Sequence, residues 1–402
     1  MSQKRKVLFV IESLACAGAE KSLTTLLNLL DYSKYEVDLQ LFSYGGEFES
    51  LLPEEVNLLP ALPYFSYCMQ SMGKSVKSLF VSAERLFFKA RMEYSLELRK
   101  NKYDNIQKSV LFWKKTRKCF SVKEKEYDIA IAYAQGIPTF YVADCVNAQK
   151  KYAWVNVTYS PKGDYFDYIN QYYRRFDGIR CVSDVTLEQF TELFKEHREK
   201  TDVIYDINDQ EFIIKMSRMK STVFEDMNTD REWKILTVGR LANQKGYDIA
   251  TDACKILKEK GLSFCWYALG KGPMESQIRE WIKEKNIEDC FQLLGVRANP
   301  YPYFLACDLY VQTSKFEGFG LTLTEARMLN KPVVTTAFDT VYMQMEHKKN
   351  GLVVDLNAEA VAGGIITMIE DCRLREEIIT NVKSEKKGNL EELKKIEQLL
   401  GD

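Results

Sequence analysis

Ser314-Lys315-Phe316-Glu317-Gly318-Phe319-Gly320-Leu321-Thr322-Leu323-Thr324-Glu325-Ala326 decides how this chain is read. It follows an apolar run, Asp308 to Val311, that suits a strand, and it leads into a helix-like run from Leu321 to Leu329. Gly318 and Gly320 stand at the junction. Glycine lets a backbone turn sharply and come close to a ligand. A helix that starts there offers free N–H groups and a positive dipole end, which suits a phosphate. Glu317 precedes the turn, and Glu325 lies one helical turn inside, on the face shared with Leu321. Carboxylates accept hydrogen bonds from vicinal hydroxyls, the groups a sugar offers. The stretch therefore suits a phosphorylated sugar. Its plainer reading is a tight surface loop with two solvated glutamates.

The same layout recurs around it. Trp233 to Val238 reads as a strand, followed by a loop with two cations, Gly239-Arg240-Leu-Ala-Asn-Gln-Lys245-Gly246, and a helix from Tyr247 to Lys258. Phe264 to Leu269 is a strand ending in Gly270-Lys-Gly272-Pro273, and Cys290 to Leu294 is one ending at Gly295. Pro332 to Thr335 and Gly351 to Val354 complete this set. Four strand ends thus carry glycine or cationic loops. In an open α/β sheet, ligands sit at the carboxyl ends of the strands.

The first half repeats the alternation. Val7 to Ile11 reads as a buried strand, followed by the small-residue turn Ala15-Cys-Ala-Gly18-Ala19 and a helix from Glu20 to Leu30. Further strands are expected at Val37 to Phe42, Val56 to Leu59, Asp128 to Ala132, Lys151 to Val157, Gly178 to Val182 and Val203 to Tyr205. Strands alternating with helices argue for a doubly wound parallel sheet in each half. The expected division is an N-terminal unit over 1–205, a polar linker over 206–230, a C-terminal unit over 231–372 and a helical tail over 373–402, the tail crossing back to the first unit.

One block interrupts the first half. From Lys74 to Lys125 there are fifteen Lys/Arg against five Asp/Glu, and no proline. The block, about 73–125, reads as two long helices with Leu79, Phe80, Phe87, Phe112, Trp113 and Phe120 among the cations. Basic residues interleaved with aromatics suit an interfacial surface on anionic lipid, with Lys114, Lys115, Arg117 and Lys118 as its charges. The other reading is a hairpin packed on its own sheet.

Composition narrows the class. The chain has 402 residues, 46% hydrophobic and 28% charged, with net charge −1. That is a globular composition with no global field for nucleic acid. The ten cysteines never form C-x-x-C, which argues against a zinc knuckle and for a reducing compartment. Val7 to Ile11 is too short for a signal peptide, and no run approaches the ~18 apolar residues of a spanning helix.

Gly239-Arg-Leu-x-x-x-Lys-Gly246, Gly270-x-Gly-Pro273 and Glu317-x7-Glu325 together resemble the retaining glycosyltransferases of family 4, with the GT-B fold, and the bacterial capsule and exopolysaccharide members among them. The resemblance covers nearly the whole chain and is strongest from about Lys234 to Asp355. It implies two Rossmann-like domains facing across a cleft. The nucleotide-sugar donor, UDP-linked by family habit, lies on the C-terminal domain, and a glycan or lipid-linked glycan acceptor on the N-terminal one. Arg240 and Lys245 would then grip the donor diphosphate, with Gly18, Gly239, Gly270 and Gly272 lining it. Glu317 would contact the sugar hydroxyls, Glu325 the ribose, and Gly318, Phe319, Gly320 and Leu321 would offer backbone N–H groups. The turn Gly295-Val296-Arg297 would border the base. The family implies peripheral work at the inner face of the cell membrane.

The chemistry follows from the charges. Two cations and a helix N-terminus stabilise the departing nucleoside diphosphate. No Asp-x-Asp occurs, so no metal is expected and the nucleotide sugar is a substrate, not a cofactor. One departure stands out. Many relatives carry a histidine after Trp-Val on an N-domain strand, and this chain has Trp154-Val155-Asn156. Asn156 can bond a sugar hydroxyl but carries no proton. The histidines, His197 and His347, both read as surface residues. A working hexosyltransferase is the first reading. A non-catalytic partner subunit is the second, favoured by Asn156 and opposed by the intact Arg240, Lys245, Glu317 and Glu325. A sugar-nucleotide epimerase of similar fold is the third, and the basic block argues against it.

Overall fold

The structure is a computed structural model that describes residues 4–15, 17–69, 82–157, 160–219, 221–227, 230–297, 299–317 and 320–401. Two compact units emerge. The first comprises residues 1–208 and 389–402, the second 209–388.

The apolar runs become strands because an all-parallel sheet is covered on both faces and needs near-continuous hydrophobic segments. In the first unit these are β1 (Arg5–Ile11), β2 (Tyr35–Leu41), β3 (Asn57–Leu58), β4 (Glu126–Ala132), β5 (Asn147–Val155), β6 (Gly178–Cys181) and β7 (Thr201–Val203). They form one parallel sheet in the order β3-β2-β1-β4-β5-β6-β7. Alternate residues of β1 face opposite sides of it. Leu8 and Val10 join one core with Val110, Trp113 and Phe140, while Val7, Phe9 and Ile11 join another with Leu23 and Leu26. The second unit holds β8 (Trp233–Val238), β9 (Phe264–Leu269), β10 (Phe291–Gly295), β11 (Leu309–Gln312), β12 (Val333–Thr336) and β13 (Leu352–Val354). Their order is β10-β9-β8-β11-β12-β13, again all parallel. Each expected strand is found, shifted by a few residues at its ends.

The boundaries differ from expectation. The polar stretch 206–230 is not a free linker. Asp209 caps the helix Gln210–Ser217 by accepting from the backbone N–H groups of Glu211 and Phe212 at 3.1 and 3.0 Å. Ile213 and Met216 bury their side chains, and Gln210 donates to the Met328 carbonyl at 2.8 Å, so the stretch from Asp209 on belongs to the second unit and only 206–208 to the first. The expected tail divides too. The helix Cys372–Ser384 stays with the second unit through Ile378 and Val382. Only the helix Glu391–Leu400 joins the first, burying Ile396 and Leu400 in the core beside Phe9. Asn208 and Asn389 bond reciprocally where the chain leaves and re-enters the first unit.

The basic block is a hairpin packed on its own sheet. Its described helices are Ser82–Lys100 and Asn105–Thr116, and Lys74 to Val81 lie outside the described residues, Leu79 and Phe80 with them. Trp113 and Val110 are fully buried, and Phe87, Phe112 and Phe120 pack against the same core. Burying each aromatic contributes about 1.5–3 kcal/mol, so these rings are spent on the fold. Asp144 is the polar anchor. Trp113 donates its indole N–H to Asp144 at 2.9 Å and Tyr172 its hydroxyl at 3.0 Å, while Arg117 and Arg175 pair with it at 2.9 and 2.5 Å. Burial alone would raise the Asp144 carboxyl, but Trp113, Arg175 and Tyr172 as donors outweigh it and hold the group below the usual range. Arg117 is therefore a structural cation. Lys115 lies 3.8 Å from Glu93, and Lys114 sits over the Tyr168 ring at 4.6 Å. Among the described residues no helix is long and apolar enough to cross a membrane.

Asp144→Ala is expected to lower unfolding free energy by roughly 2–3 kcal/mol. That is below the full cost of a broken buried pair, because Arg175 is half exposed. Urea unfolding followed by tryptophan fluorescence measures it, and a midpoint unchanged from wild type would dismiss the anchor.

Candidate active site

The strand order brings the four marked loops together. β10, β9, β8 and β11 are consecutive neighbours, so the loops after them share one edge. Between β8 and β11 the strand order reverses, the place where open α/β sheets bind ligands. The loop after β8 carries Gly239, Arg240 and Lys245, and the loop after β11 carries Glu317 and Gly320.

Glycine permits the close approach that unites these loops. Gly246 has φ +63°, and a Cβ there would stand 2.0 Å from the Thr313 carbonyl oxygen. Thr313 donates its hydroxyl to the Lys245 carbonyl at 3.0 Å, and the Lys315 N–H donates to the Gln244 carbonyl at 2.8 Å. Lys245 is thereby delivered to Glu317, with its ammonium 2.5 Å from Oε1. Gly270 and Gly272 serve the same purpose one strand over. Their missing Cβ atoms would meet Gly239 O at 1.9 Å and Leu241 O at 2.2 Å, so the loop after β9 lies against the loop after β8. Gly239 itself leaves room for Lys245, whose Cε would lie 3.2 Å from an added Cβ.

Arg240 and Lys245 differ in their commitments. Arg240 is exposed, and its guanidinium makes no hydrogen bond or ion pair among the described residues. Lys245 is mostly buried and already paired. Glu317 is nearly fully buried and accepts from Lys245, Ser314 and Gln312 on Oε1, at 2.5, 2.6 and 3.2 Å. Thr340 donates to its carbonyl at 3.0 Å. The plainer reading of a solvated Glu317 is therefore excluded.

Gly320, at φ +82°, opens the helix Leu321–Met328, and no side chain caps it. Its N–H end faces the same edge with capacity for an anion. Glu325 is buried, with the Tyr301 hydroxyl 3.5 Å from Oε1. Gly318 and Phe319 lie outside the described residues. Gly295, at φ +73°, ends β10. Beyond it Arg297 does not point free toward a base. It donates to Asp226 at 2.9 and 3.0 Å, to the Tyr303 hydroxyl at 2.8 Å and to the Leu294 carbonyl at 2.7 Å. That guanidinium ties the turn, with Val296, to the segment 222–226.

The first unit has a carboxyl edge of its own. Gly18 opens the helix Gly18–Leu29 after β1, with open space where a Cβ would stand. Asn156 follows β5. Its Nδ2 donates to the Tyr133 carbonyl at 2.7 Å, and its backbone N–H donates to Gln135 at 2.9 Å. Its Oδ1 is enclosed without a partner among the described residues, an acceptor awaiting a hydroxyl or water. The histidines divide. His347 is exposed, but His197 is buried and bonds Asn170 at 2.9 Å, which corrects its surface assignment. Desolvation lowers its pKa, so it rests neutral in the core. Among the described residues no cluster of three or more His, Cys, Asp or Glu side chains could hold a metal.

Residues that escape a sequence reading are the partners of Glu317 other than Lys245. Gln312 falls between the run read as a strand, Asp308 to Val311, and the stretch that opens at Ser314, and Gln244 lies in a loop read for its cations. Ser314 stands inside the opening stretch with nothing in its spacing to mark it.

The two doubly wound parallel units define the GT-B fold, shared with glycosyltransferases of known structure. Anabaena Alr3699/HepE, solved with UDP and glucose, matches with a TM-score of 0.63 and 18% identity over 98% of this chain and 99% of that one. A TarM variant of S. aureus matches with a TM-score of 0.64 and 14% identity over 99% and 100%. Residues 220–385, which include Arg240, Lys245, Glu317 and Glu325, match the family described as "Glycosyl transferases group 1". The amylovoran biosynthesis glycosyltransferase AmsK of Erwinia amylovora is 30% identical over 144 residues, 34% of this chain and 35% of that protein. A 4-alpha-N-acetylgalactosaminyltransferase of Campylobacter jejuni, named for an acceptor built on diphospho-undecaprenol, is 29% identical over 222 residues, 55% and 58%. The matched segments thus span between 35% and 58% of these two relatives' lengths. The second unit thus holds the stretch similar to that family, and within it Arg240, Lys245 and Glu317 lie on loops at one strand edge.

Proposed function

We propose that this chain is a retaining, metal-independent glycosyltransferase of the family 4 kind. It moves a sugar from a UDP-sugar to a lipid-linked glycan during assembly of a bacterial surface polysaccharide. The observation that carries this reading is the meeting of Arg240, Lys245, Glu317 and the Gly320 helix terminus at the strand-order reversal of the second unit. An exposed guanidinium, an ammonium and a helix N-terminus suit a diphosphate leaving group. Glu325 suits the ribose hydroxyls, Glu317 the sugar hydroxyls, and the Val296 turn the base. The bond from the anomeric carbon to UDP breaks, and one to the acceptor oxygen forms. The acceptor's proton passes to the departing diphosphate. The positive charges present leave no step that requires a metal. Relatives named for amylovoran and colanic acid support the polysaccharide setting. Two named as alpha-transferases support retention, since UDP-hexose donors are commonly alpha-linked.

Calorimetry with UDP, and UDP release from UDP-glucose, UDP-galactose and their N-acetylated forms over a membrane fraction, tests the reading. The expected result is UDP binding, with one sugar nucleotide turned over equally with and without chelator. Failure to bind UDP refutes the UDP-donor assignment, and chelator inhibition refutes metal independence. A second reading, a non-catalytic partner subunit, draws on Asn156, whose amide carries no titrating proton and donates inward to Tyr133. UDP binding without turnover on any acceptor would favour it.

The lipid-linked acceptor requires the enzyme to work at a membrane, and the exposed lysines of the basic hairpin suit reversible docking. Because Arg117 is structural, the informative reversal is Lys108, Lys114 and Lys118 to Glu, all exposed. Each cation near an anionic surface contributes about 1 kcal/mol, so pelleting with phosphatidylglycerol vesicles at low salt should fall by about two decades or more. UDP affinity should stay unchanged. Equal pelleting of variant and wild type would reject docking through the hairpin.

A further inference from the structure

We infer that Gln312 is a positioning residue for the sugar-binding carboxylate, one that leaves Oε2 of Glu317 as the atom that meets the sugar hydroxyl. This rests on the glycosyltransferase reading and adds a residue to it. Gln312 lies near the end of β11 and is 2% exposed. A buried primary amide is costly unless both ends are bonded, and here both are. Its Nε2 donates to Glu317 Oε1 at 3.2 Å. Its Oε1 accepts from the Thr322 hydroxyl at 2.9 Å and the Tyr310 hydroxyl at 3.2 Å. A carboxylate only accepts, so the amide nitrogen must face Glu317 and the amide oxygen must face the hydroxyls. Tyr310 is fully buried, and burial pushes its phenol well above the ordinary value, so it stays a donor. The amide therefore has one orientation, braced from β11 on one side and from the first turn of the Leu321–Met328 helix on the other.

The consequence is an asymmetry in Glu317. Oε1 accepts from Lys245, Ser314 and Gln312, while among the described residues Oε2 receives only the Gln244 amide at 3.4 Å. Oε1 is saturated and cannot turn toward a ligand without breaking three bonds. Oε2 keeps an open lone pair and one weak, displaceable partner. A sugar hydroxyl arriving at Glu317 therefore bonds Oε2. Because Gln312 also holds Thr322, the carboxylate and the helix N-terminus keep a fixed separation, so sugar and diphosphate are registered against each other by one side chain.

Gln312→Leu separates positioning from packing. Leucine has similar bulk but takes the bonds to Glu317, Thr322 and Tyr310 away, so its melting curve is recorded beside its kinetics and a purely structural role would lower Tm without changing kcat on the folded protein. With the sugar nucleotide that wild type turns over, kcat is expected to fall about ten- to hundredfold, the range a small misplacement costs, while UDP affinity stays within about twofold. Gln312→Glu keeps the shape but sets a carboxylate against Glu317, and should fall further. Thr322→Val, a milder change, releases one brace and should lower kcat several-fold with UDP affinity unchanged. Wild-type kcat in Gln312→Leu and Thr322→Val would overturn the inference while leaving the glycosyltransferase reading intact. A ligand-free crystal structure of Gln312→Leu gives a readout that needs no substrate. The expected result is a rotated Glu317 carboxylate, and an unmoved one would overturn the inference even if the donor reading had failed.

Discussion

Arg240→Ala and Lys245→Ala should each lower sugar transfer by about two to three decades. On the proposed donor assignment each removes a positive charge from the departing diphosphate, and one such contact is typically worth about 3–4 kcal/mol. The two variants should part on stability. Arg240 is exposed and unpaired among the described residues, so its loss leaves the fold untouched. Lys245 is mostly buried against Glu317, and removing one partner of a buried pair costs about 3–5 kcal/mol. Melting curves should therefore show a wild-type Tm for Arg240→Ala and a lowered one for Lys245→Ala, with both inactive. Near-normal turnover in both variants would dismantle the donor-site assignment.

Glu317→Ala and Glu325→Ala should fail in different ways. Glu317 is held on Lys245 beside the helix N-terminus, so its loss removes an acceptor for the reacting sugar. We expect kcat to drop about a hundredfold while UDP affinity holds or rises, because Lys245 is then free for the diphosphate. Glu325 is buried on the first helical turns beside Tyr301. A hydrogen bond to a charged group is worth about 1.5–3 kcal/mol, so losing its ribose contact should weaken UDP about ten- to hundredfold. Calorimetric titration of both variants with UDP decides the matter, and equal losses of affinity would contradict the separate roles.

The basic hairpin shows where a one-dimensional reading stops. Aromatics among lysines at helical spacing suit a lipid surface and a packed face equally well, since both bury the same side. Asp144 selects the packed face. It comes after β4, beyond the hairpin in sequence, and gathers Trp113, Arg117, Tyr172 and Arg175. His197 was misread for a similar cause. Its neighbours are charged, yet Tyr173, Phe194 and Asn170 enclose it. The expected 206–230 linker failed because its polar residues are caps and amide bridges whose partners, such as the Met328 carbonyl, lie far along the chain.

Sequence by itself determined the thirteen strands of the described residues, their alternation with helices and the four glycine or cationic loops at the strand ends of the second unit. Burial on both faces of a parallel sheet demands continuous apolar runs, and sharp turns at strand ends demand glycine, so both leave local marks. The tertiary structure alone decided that Lys245 is already paired, that the Arg240 guanidinium is not paired among the described residues, that Arg117 and Arg297 are structural, and which oxygen of Glu317 is the less occupied. Those outcomes depend on the partner that folding brings to each charge, and the Lys245–Glu317 pair closes a separation of 72 residues. Coulomb and hydrogen-bond energies fall off over a few ångströms of space, whatever the distance along the chain.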